Sequence, residues 1–478
     1  MKYLGIDIGS SFIKAALFDI YTEKAIFHYT LPAVDRLNSD NPHKFELDAN
    51  KIVNKVKEII HGALEKNENV HGILISTQMH GFVYSTKDSK DNNNSKNSNN
   101  SKDGDDSKEG NDRYVSWQDS RCVSLIPGSD ITYIELLRRK ISIVEMKNCG
   151  VYIKPSLGMC NLYTMLEEHS ELQRSGELFT LGSYIIYKLT GNNICHISNA
   201  AALGLVNIEN KTWDEKIIKK LGFENIVLPR IADKDTEICG YYRVGGREIK
   251  VYPDFGDQQT AILGVMAGSE DVIINIATAS QIAVTATNFN PGKYEVRPYF
   301  EDKYINTISN MPGGRNLKVL IDFIKEVILK FENRQASTKE IWDAINSECD
   351  FDSKGLDLDI GFYETPSCTT GGSILNIKPY NLTISALFSA AFKDMAETYW
   401  NNIINLTGRD KPHGKVVFLG GVSWKNPILI QYISNYMSME YALSNIPDEV
   451  FSGLFRIALV CAGVCNNLSH RPELVLKL

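Results

Sequence analysis

Residues 3–20 limit the possible folds of this chain more than any other stretch. Two apolar runs, Tyr3–Ile8 and Ile13–Ile20, flank a Gly9-Ser10-Ser11 connection. Apolar runs joined by so short a polar link predict a β-hairpin. Asp7 stands at the last turn of the first strand, where a carboxylate can face a ligand lying over the turn. Gly9 permits close approach, and Ser10, Ser11 and Lys14 supply donors. A carboxylate there repels a bare phosphate, so a phosphate ligand calls for Mg2+, held through water, between the two. An ordinary hairpin with a turn aspartate fits the same residues.

A length of 478 residues exceeds one ordinary core, so two large domains are expected, and 43% apolar residues suffice for both. The formal charge is −7 with acids and bases mixed along the chain, which argues against a nucleic-acid surface. Nine cysteines without a CxxC pair suggest neither a disulfide frame nor a zinc site, but buried thiols in a reducing compartment. The N-terminus lacks a charged-then-apolar signal pattern, and no apolar run reaches about 18 residues. The expectation is a cytoplasmic protein, monomer or homodimer, with no membrane or nucleic-acid partner.

Further along, Ala25–Leu31 supplies a third strand. Residues 50–65 have helical apolar spacing with Asp48 as cap, and 71–75 form a short buried strand. Residues 86–112 are Asn, Ser, Lys, Asp and Gly with almost nothing apolar, and are expected to be disordered. They separate Phe82–Ser85 from Arg113–Trp117. If these pair, Gln78–Gly81 and Trp117–Asp119 meet at the far end of the hairpin. Helices are expected at 131–146, 160–168, 181–189 and 211–221, with short strands within 195–208. Gly245-Gly246 marks a domain change, giving domains 1–245 and 246–478. The second half repeats the opening logic. A strand at 271–276, Ala277-Thr278-Ala279-Ser280, and a returning strand make a second hairpin. Residues 384–404 form the strongest helix, 415–419 a buried strand, and 451–468 a final helix packing on the second domain.

Asp7-Ile8-Gly9-Ser10-Ser11-Phe12-Ile13-Lys14 resembles the first phosphate motif of the actin/hexokinase/Hsp70 superfamily, and within it the FGGY family of sugar kinases. The resemblance implies an α/β protein of two ribonuclease-H-like domains facing a central cleft, sugar on the N-terminal side and nucleotide on the C-terminal side. Asp257, in Gly256-Asp257-Gln258-Gln259, opens a helix after a strand and reads equally as an N-cap or as a general base. The family's motif gives it the base role, with Gln258 beside the sugar and Asp257 joining Asp7 at Mg2+. Gln78-Met79-His80-Gly81 resembles the sugar-side motif of the xylulose and sedoheptulose kinase branches. Trp117-Gln118-Asp119-Ser120-Arg121-Cys122 is similar to a sedoheptulose-branch segment, with Ser120 in place of glycine. Taken singly, His80 and Trp117 fit core packing as well. At one hairpin end, Trp117 offers an indole face to a sugar and Asp119 a carboxylate to its hydroxyls.

The resemblance places ATP against Ser10, Ser11 and Lys14, and against Thr278, Gly313, Gly314, Gly420, Gly421 and Asn426. Ala277 stands where most of the family has glycine, a departure shared with sedoheptulose kinases. The implied activity is transfer from ATP, with Mg2+, to the terminal hydroxyl of a small-molecule ketose. Sedoheptulose is the leading candidate, xylulose the alternative, and a non-catalytic ATP-binding module of the actin or Hsp70 type the other class.

Overall fold

Strands β1 (Lys2–Ile8) and β2 (Phe12–Asp19) form the expected hairpin in the computed structural model, with Asp7 opposite Lys14 and Ile8 opposite Ile13. The structure describes residues 1–66, 69–86, 112–169, 172, 174–348, 352–363, 371–409, 413–444, 448–470 and 476. They fall into two units. Unit 1 comprises 1–266, 296–304 and 446–478, and unit 2 comprises 267–295 and 305–445.

Unit 1 continues with β3 (Lys24–Pro32), β4 (Glu46–Asp48), β5 (Val70–Thr77), β6 (Phe82–Ser85), β7 (Arg113–Val115), β8 (Glu177–Thr180), β9 (Gly240–Val244) and β10 (Arg247–Gly256). Its main sheet has the order β9-β10-β5-β1-β2-β3, and β1, β5 and β10 run parallel. The helix Ala49–Lys66 buries Ile52, Val53, Val56, Ile59, Ile60, Ala63 and Leu64 against one face of this sheet. Burial of each Ile, Val or Leu contributes about 1.5–3 kcal/mol, and Asp48 caps the helix by accepting the Lys51 amide at 3.0 Å.

The other face of the sheet corrects an expectation. Helix Glu449–Cys461 packs its Leu454, Phe455 and Ala458 on Tyr3, Phe18 and Leu74, so the closing helix belongs to unit 1 and not to the second domain. Its crossing with helix Asp257–Val265 is close. A Cβ on Gly264 would lie 1.9 Å from the Glu449 carbonyl oxygen, and one on Gly453 2.0 Å from that of Thr260. Only glycine fits at either point.

The expected boundary at 245/246 falls in the turn of the β9–β10 hairpin, both of whose strands belong to the unit 1 sheet. Pairing of β10 with β5 carries unit 1 past residue 250. Residues 197–202, expected within short strands, form helix Ile197–Ala202, and helix Glu215–Leu221 starts four residues later than expected, where Asp214 caps it. In a second sheet, β4-β7-β6-β8, β6 and β7 pair antiparallel as expected, Phe82 opposite Val115. Of the expected disordered insertion, residues 87–111 lie outside the described residues.

Unit 2 repeats the central plan. Strands β11 (Val272–Ile276), β12 (Ser280–Ala286), β13 (Tyr304–Met311), β14 (Val416–Leu419) and β15 (Tyr441–Leu443) run in the order β13-β12-β11-β14-β15. Helix Ile384–Thr407 starts at a Thr383 cap, ends at Gly408, and buries Phe388, Phe392, Met395 and Tyr399 in the unit 2 core. No helix among the described residues is long and apolar enough to cross a membrane.

Candidate active site

The carboxyl ends of three parallel strands coincide in unit 1. Asp7 is level with Ser76 and Ile8 with Thr77 across β1–β5, and Thr77 is level with Gly256 across β5–β10. Ligands of open α/β sheets lie beyond such ends. Here Asp7, Gln78 and Asp257 stand together by register. Gly256 is the N-cap position of helix Asp257–Val265 and borders Met79, since a Cβ on it would lie 2.8 Å from the Met79 sulfur. The Gln78 amide donates to the Ile8 carbonyl at 3.1 Å.

These acids are held under electrostatic tension. Burial, then the charges of Asp257 and Asp448, push the Asp7 carboxyl up to about 7 against the opposing pull of Lys14 and Ser76. Burial also raises Asp257, opposed by the hydrogen bond from the Gln258 amide, at 2.8 Å, and by Arg297. Lys14 pairs with Asp448 at 3.1 Å, so it is anchored within unit 1. Asp448 also caps helix Glu449–Cys461 by accepting the Phe451 amide at 3.2 Å. Ser10 and Ser11 are exposed at the turn. Among the described residues no group of three or more His, Cys, Asp and Glu side chains forms a metal cage. Two mutually repelling carboxylates, Asp7 and Asp257, suit a cation that keeps water and phosphate oxygens as its other ligands.

Met79, His80 and Trp117 differ in setting. Met79 is buried. His80 has φ 69° and donates from Nδ1 to the Ala202 carbonyl at 2.8 Å, which fixes the ring and its tautomer. Trp117 is 42% exposed, so its indole is not core packing. Gln258 is bound through Oε1 by the Arg297 guanidinium. Asp119 is corrected. It is fully buried, and its oxygens accept from the Phe45 amide at 2.7 Å and from the Arg121 guanidinium at 2.9 and 2.7 Å, with Glu46 as a second partner of Arg121. A carboxylate so engaged braces the loop instead of meeting hydroxyls.

Tyr114 was missed. Its ring packs on Gly81, where a Cβ would lie 2.2 Å from the hydroxyl. That hydroxyl is buried without a hydrogen-bond partner among the described residues, as is the Gln78 Oε1. Asp257 is near enough to add to burial in raising the Tyr114 phenol. Tyr114 itself looks like an ordinary strand-core residue, so nothing local marked it. Asp448, one residue before Glu449-Val450-Phe451, carried a readable N-cap signature.

In unit 2 the second hairpin turn gathers the other loops. The carbonyls of Ala277 and Thr278 accept the amides of Gly314 and Arg315, both at 2.9 Å. A Cβ on Gly313 would lie 2.8 Å from the Ala279 backbone, and one on Gly420 2.4 Å from Asn275 Oδ1. Thr278, Gly313, Gly314 and Gly420 therefore meet at one place, with Gly421 next in chain. Asn426 lies further on, buried, its Nδ2 donating to the Val422 carbonyl at 2.9 Å. The Arg315 guanidinium stacks 4.6 Å from the Tyr363 ring centroid.

A family model described as "FGGY family of carbohydrate kinases, N-terminal domain" matches residues 2–102 and 105–264. The human sedoheptulokinase is 24% identical over 374 residues, covering 72% of this chain and 74% of that protein. The mouse sedoheptulokinase is 22% identical over 346 residues, covering 67% and 68%. The crystal structure of a ligand-bound xylulose kinase from Lactobacillus acidophilus superposes with a TM-score of 0.80 at 17% identity, covering 99% of this chain and 92% of that one, a likeness of fold. With more than half of its length matched by the family model, the chain belongs to the FGGY family of carbohydrate kinases.

Proposed function

We propose that this kinase transfers the γ-phosphoryl group of ATP to the terminal hydroxyl of a ketose, with sedoheptulose as the favoured substrate and sedoheptulose 7-phosphate as product. The observation that carries this reading is the pair Asp7 and Asp257 at the ends of β1 and β10, the two strands that flank β5, next to the partnerless buried oxygens of Gln78 and Tyr114. A buried polar atom left without a partner costs about 1–3 kcal/mol, and a polyhydroxylated ligand would relieve that cost.

Gln78, Met79, His80, Tyr114 and Trp117 bind and orient the sugar, and Gln258, itself held by Arg297, completes that side. Asp257 takes the proton of the attacking hydroxyl. The hydroxyl oxygen forms its bond to the γ-phosphorus as the bridging oxygen leaves with ADP. Its raised proton affinity suits a base that must hold that proton through the transfer. Ser10, Ser11, Lys14, Thr278, Gly313, Gly314, Gly420, Gly421 and Asn426 are the candidate nucleotide ligands. Mg2+ bound through water to Asp7 and Asp257 would supply charge neutralisation for the phosphates.

Similarity to two sedoheptulokinases supports the seven-carbon ketose, and so does the Trp117-to-Cys122 segment. ADP release measured across a panel of five-, six- and seven-carbon ketoses tests the reading. Sedoheptulose should exceed xylulose in kcat/KM by at least about tenfold. The reverse order would assign the site to xylulose. ATP turnover indifferent to every ketose would sink the sugar-kinase reading.

A further inference from the structure

The residue before the proposed base is held by a buried relay that the phosphoryl-transfer chemistry does not itself require. The Gly256 amide donates to Ser198 Oγ at 3.0 Å. Ser198 Oγ lies 2.7 Å from His196 Nδ1, and His196 Nε2 lies 2.9 Å from Asp235 Oδ1. Ser198 and His196 are 1% and 2% exposed.

The bonds order themselves in one direction. Asp235 accepts the proton on Nε2, which leaves Nδ1 to accept the serine hydroxyl, and the serine lone pairs then accept the Gly256 N–H. Each bond polarises the next. On the other side of Gly256, its carbonyl accepts the Thr260 hydroxyl at 2.9 Å. Both peptide groups flanking the N-cap of helix Asp257–Val265 are thus pinned. The same short helix, Ile197–Ala202, grips the strand two residues earlier. The His196 amide and Asn199 Nδ2 donate to the Asp254 carboxylate at 2.7 and 2.9 Å.

We propose that Ser198, oriented by His196 and Asp235, is a positioning residue for Asp257. Its hydroxyl sets the Gly256 peptide and so aims the base at the attacking hydroxyl. The inference rests on Asp257 being the base. Its own content is that a side chain outside the substrate site sets the reach of that base. The arrangement resembles a serine–histidine–aspartate triad in its contacts only, because a fully buried serine whose oxygen already accepts a backbone amide has no access to a substrate.

The test compares Ser198→Ala, Ser198→Thr, Asp235→Ala and Asp257→Asn, each assayed for kcat, for both KM values and for melting temperature. Ser198→Ala should lower kcat by about ten- to a hundredfold, the scale of a small misplacement of a reacting group. Both KM values should stay within about twofold. Ser198→Thr keeps the hydroxyl and should recover most of kcat. Asp235→Ala should act in the same direction, and the double variant Ser198→Ala/Asp235→Ala should lose less than the product of the two single losses. A Ser198→Ala enzyme with kcat within twofold of the parent overturns the proposal, as does a kcat loss that Ser198→Thr fails to restore at parental melting temperature. Asp257→Asn separates the two readings. If it retains turnover, the base assignment fails. If it is inactive while Ser198→Ala is normal, only the relay fails.

Discussion

Across β1–β2, Asp7 faces Lys14 and Ile8 faces Ile13; across β11–β12, Asn275 faces Gln281 and Ile276 faces Ser280. Each hairpin has a parallel strand on its outer side, β5 in unit 1 and β14 in unit 2. The two elements share plan, direction and the place of their turns. They differ in charge. Asp7 sits among Asp257, Asp448 and Lys14 with its carboxyl pushed up to about 7, whereas Asn275 offers a neutral amide whose Oδ1 is buried beside Gly420 without a hydrogen-bond partner among the described residues. Under the proposed function, one backbone device serves two tasks. Where a proton and a cation must be managed, the strand end carries acids. Where a polyanion is to be held by backbone amides, a carboxylate would be harmful and an amide is not.

The largest expected effect falls on Asp257. Asp257→Asn keeps the shape of the side chain and removes the proton acceptor, so turnover should fall about 10²–10⁴-fold while ATP still binds. Rapid-quench turnover with nucleotide binding measured in parallel checks this. Near-normal turnover would reduce Asp257 to a helix cap.

A reciprocal exchange tests the comparison next. Asp7→Asn gives the first hairpin the amide of the second. It should lower activity by about 10–100-fold and raise the Mg2+ needed for half-maximal rate, with the sugar KM little changed. The apo protein should melt higher, since a buried, repelled carboxylate is removed. An unchanged metal titration would take Asp7 out of the site. Asn275→Asp is the converse. A carboxylate beside Gly420 and the Thr278 turn should raise the KM for ATP about three- to tenfold by repulsion between like charges, and leave the sugar KM alone. Equal effects on both substrates would show that the two hairpins do not divide the work in this way.

Both hairpins were legible because each carries two apolar runs around a short turn, a pattern that local physics alone produces. Helix Ala49–Lys66 was legible from its apolar spacing and the Asp48 cap. What failed depended on distant partners. The closing helix is apolar on the face that meets β1 and helix Asp257–Val265, but an apolar stripe does not say which sheet it covers. The glycine pair Gly264 and Gly453 marks the crossing with helix Asp257–Val265, and neither glycine advertises its mate. The short strands expected within 195–208 give way to a helix over 197–202, which His196 starts by accepting the Ser198 amide. Asp119 and Tyr114 exchanged importance for the same reason. Residue type suggested a sugar ligand in the aspartate, but Phe45, brought in by the fold, and Arg121, two residues on, engage it, while the tyrosine hydroxyl is left open.

The smallest effects concern two acids, the buried Asp254 in unit 1 and the half-buried Asp394 in unit 2, and they should diverge. Asp254 in unit 1 and Asp394 in unit 2 are both pushed up to about 6, first by burial. An unfolded aspartate titrates near 3.8. Between these values the folded chain holds the proton more tightly, so each group's contribution to stability is complete below the unfolded value and is lost as pH rises toward 6, then flat above. Replacing either acid should remove its share of that slope. At neutral pH the outcomes should separate. Asp254 accepts three donors: the His196 amide on one oxygen, and the Thr180 hydroxyl and Asn199 Nδ2 on the other. Asp254→Asn turns an NH2 group toward at least one of them, and a buried donor without an acceptor costs about 1–3 kcal/mol. Asp394 is bonded to the Ile360 amide at 3.1 Å, and its other influences are the charges of Asp359 and Glu397. Asp394→Asn can keep that bond and removes the repulsion, so stability at pH 7.5 should match the parent or exceed it by about 0.5 kcal/mol. Urea denaturation of both variants at pH 4.5 and pH 7.5 measures slope and offset together. A slope identical to the parent's in either variant would show that its acid titrates alike in the folded and unfolded chain. Equal losses at neutral pH would mean that Asp394 has donors to satisfy as Asp254 does, and that burial, not bonding, is all that distinguishes these two acids from surface ones.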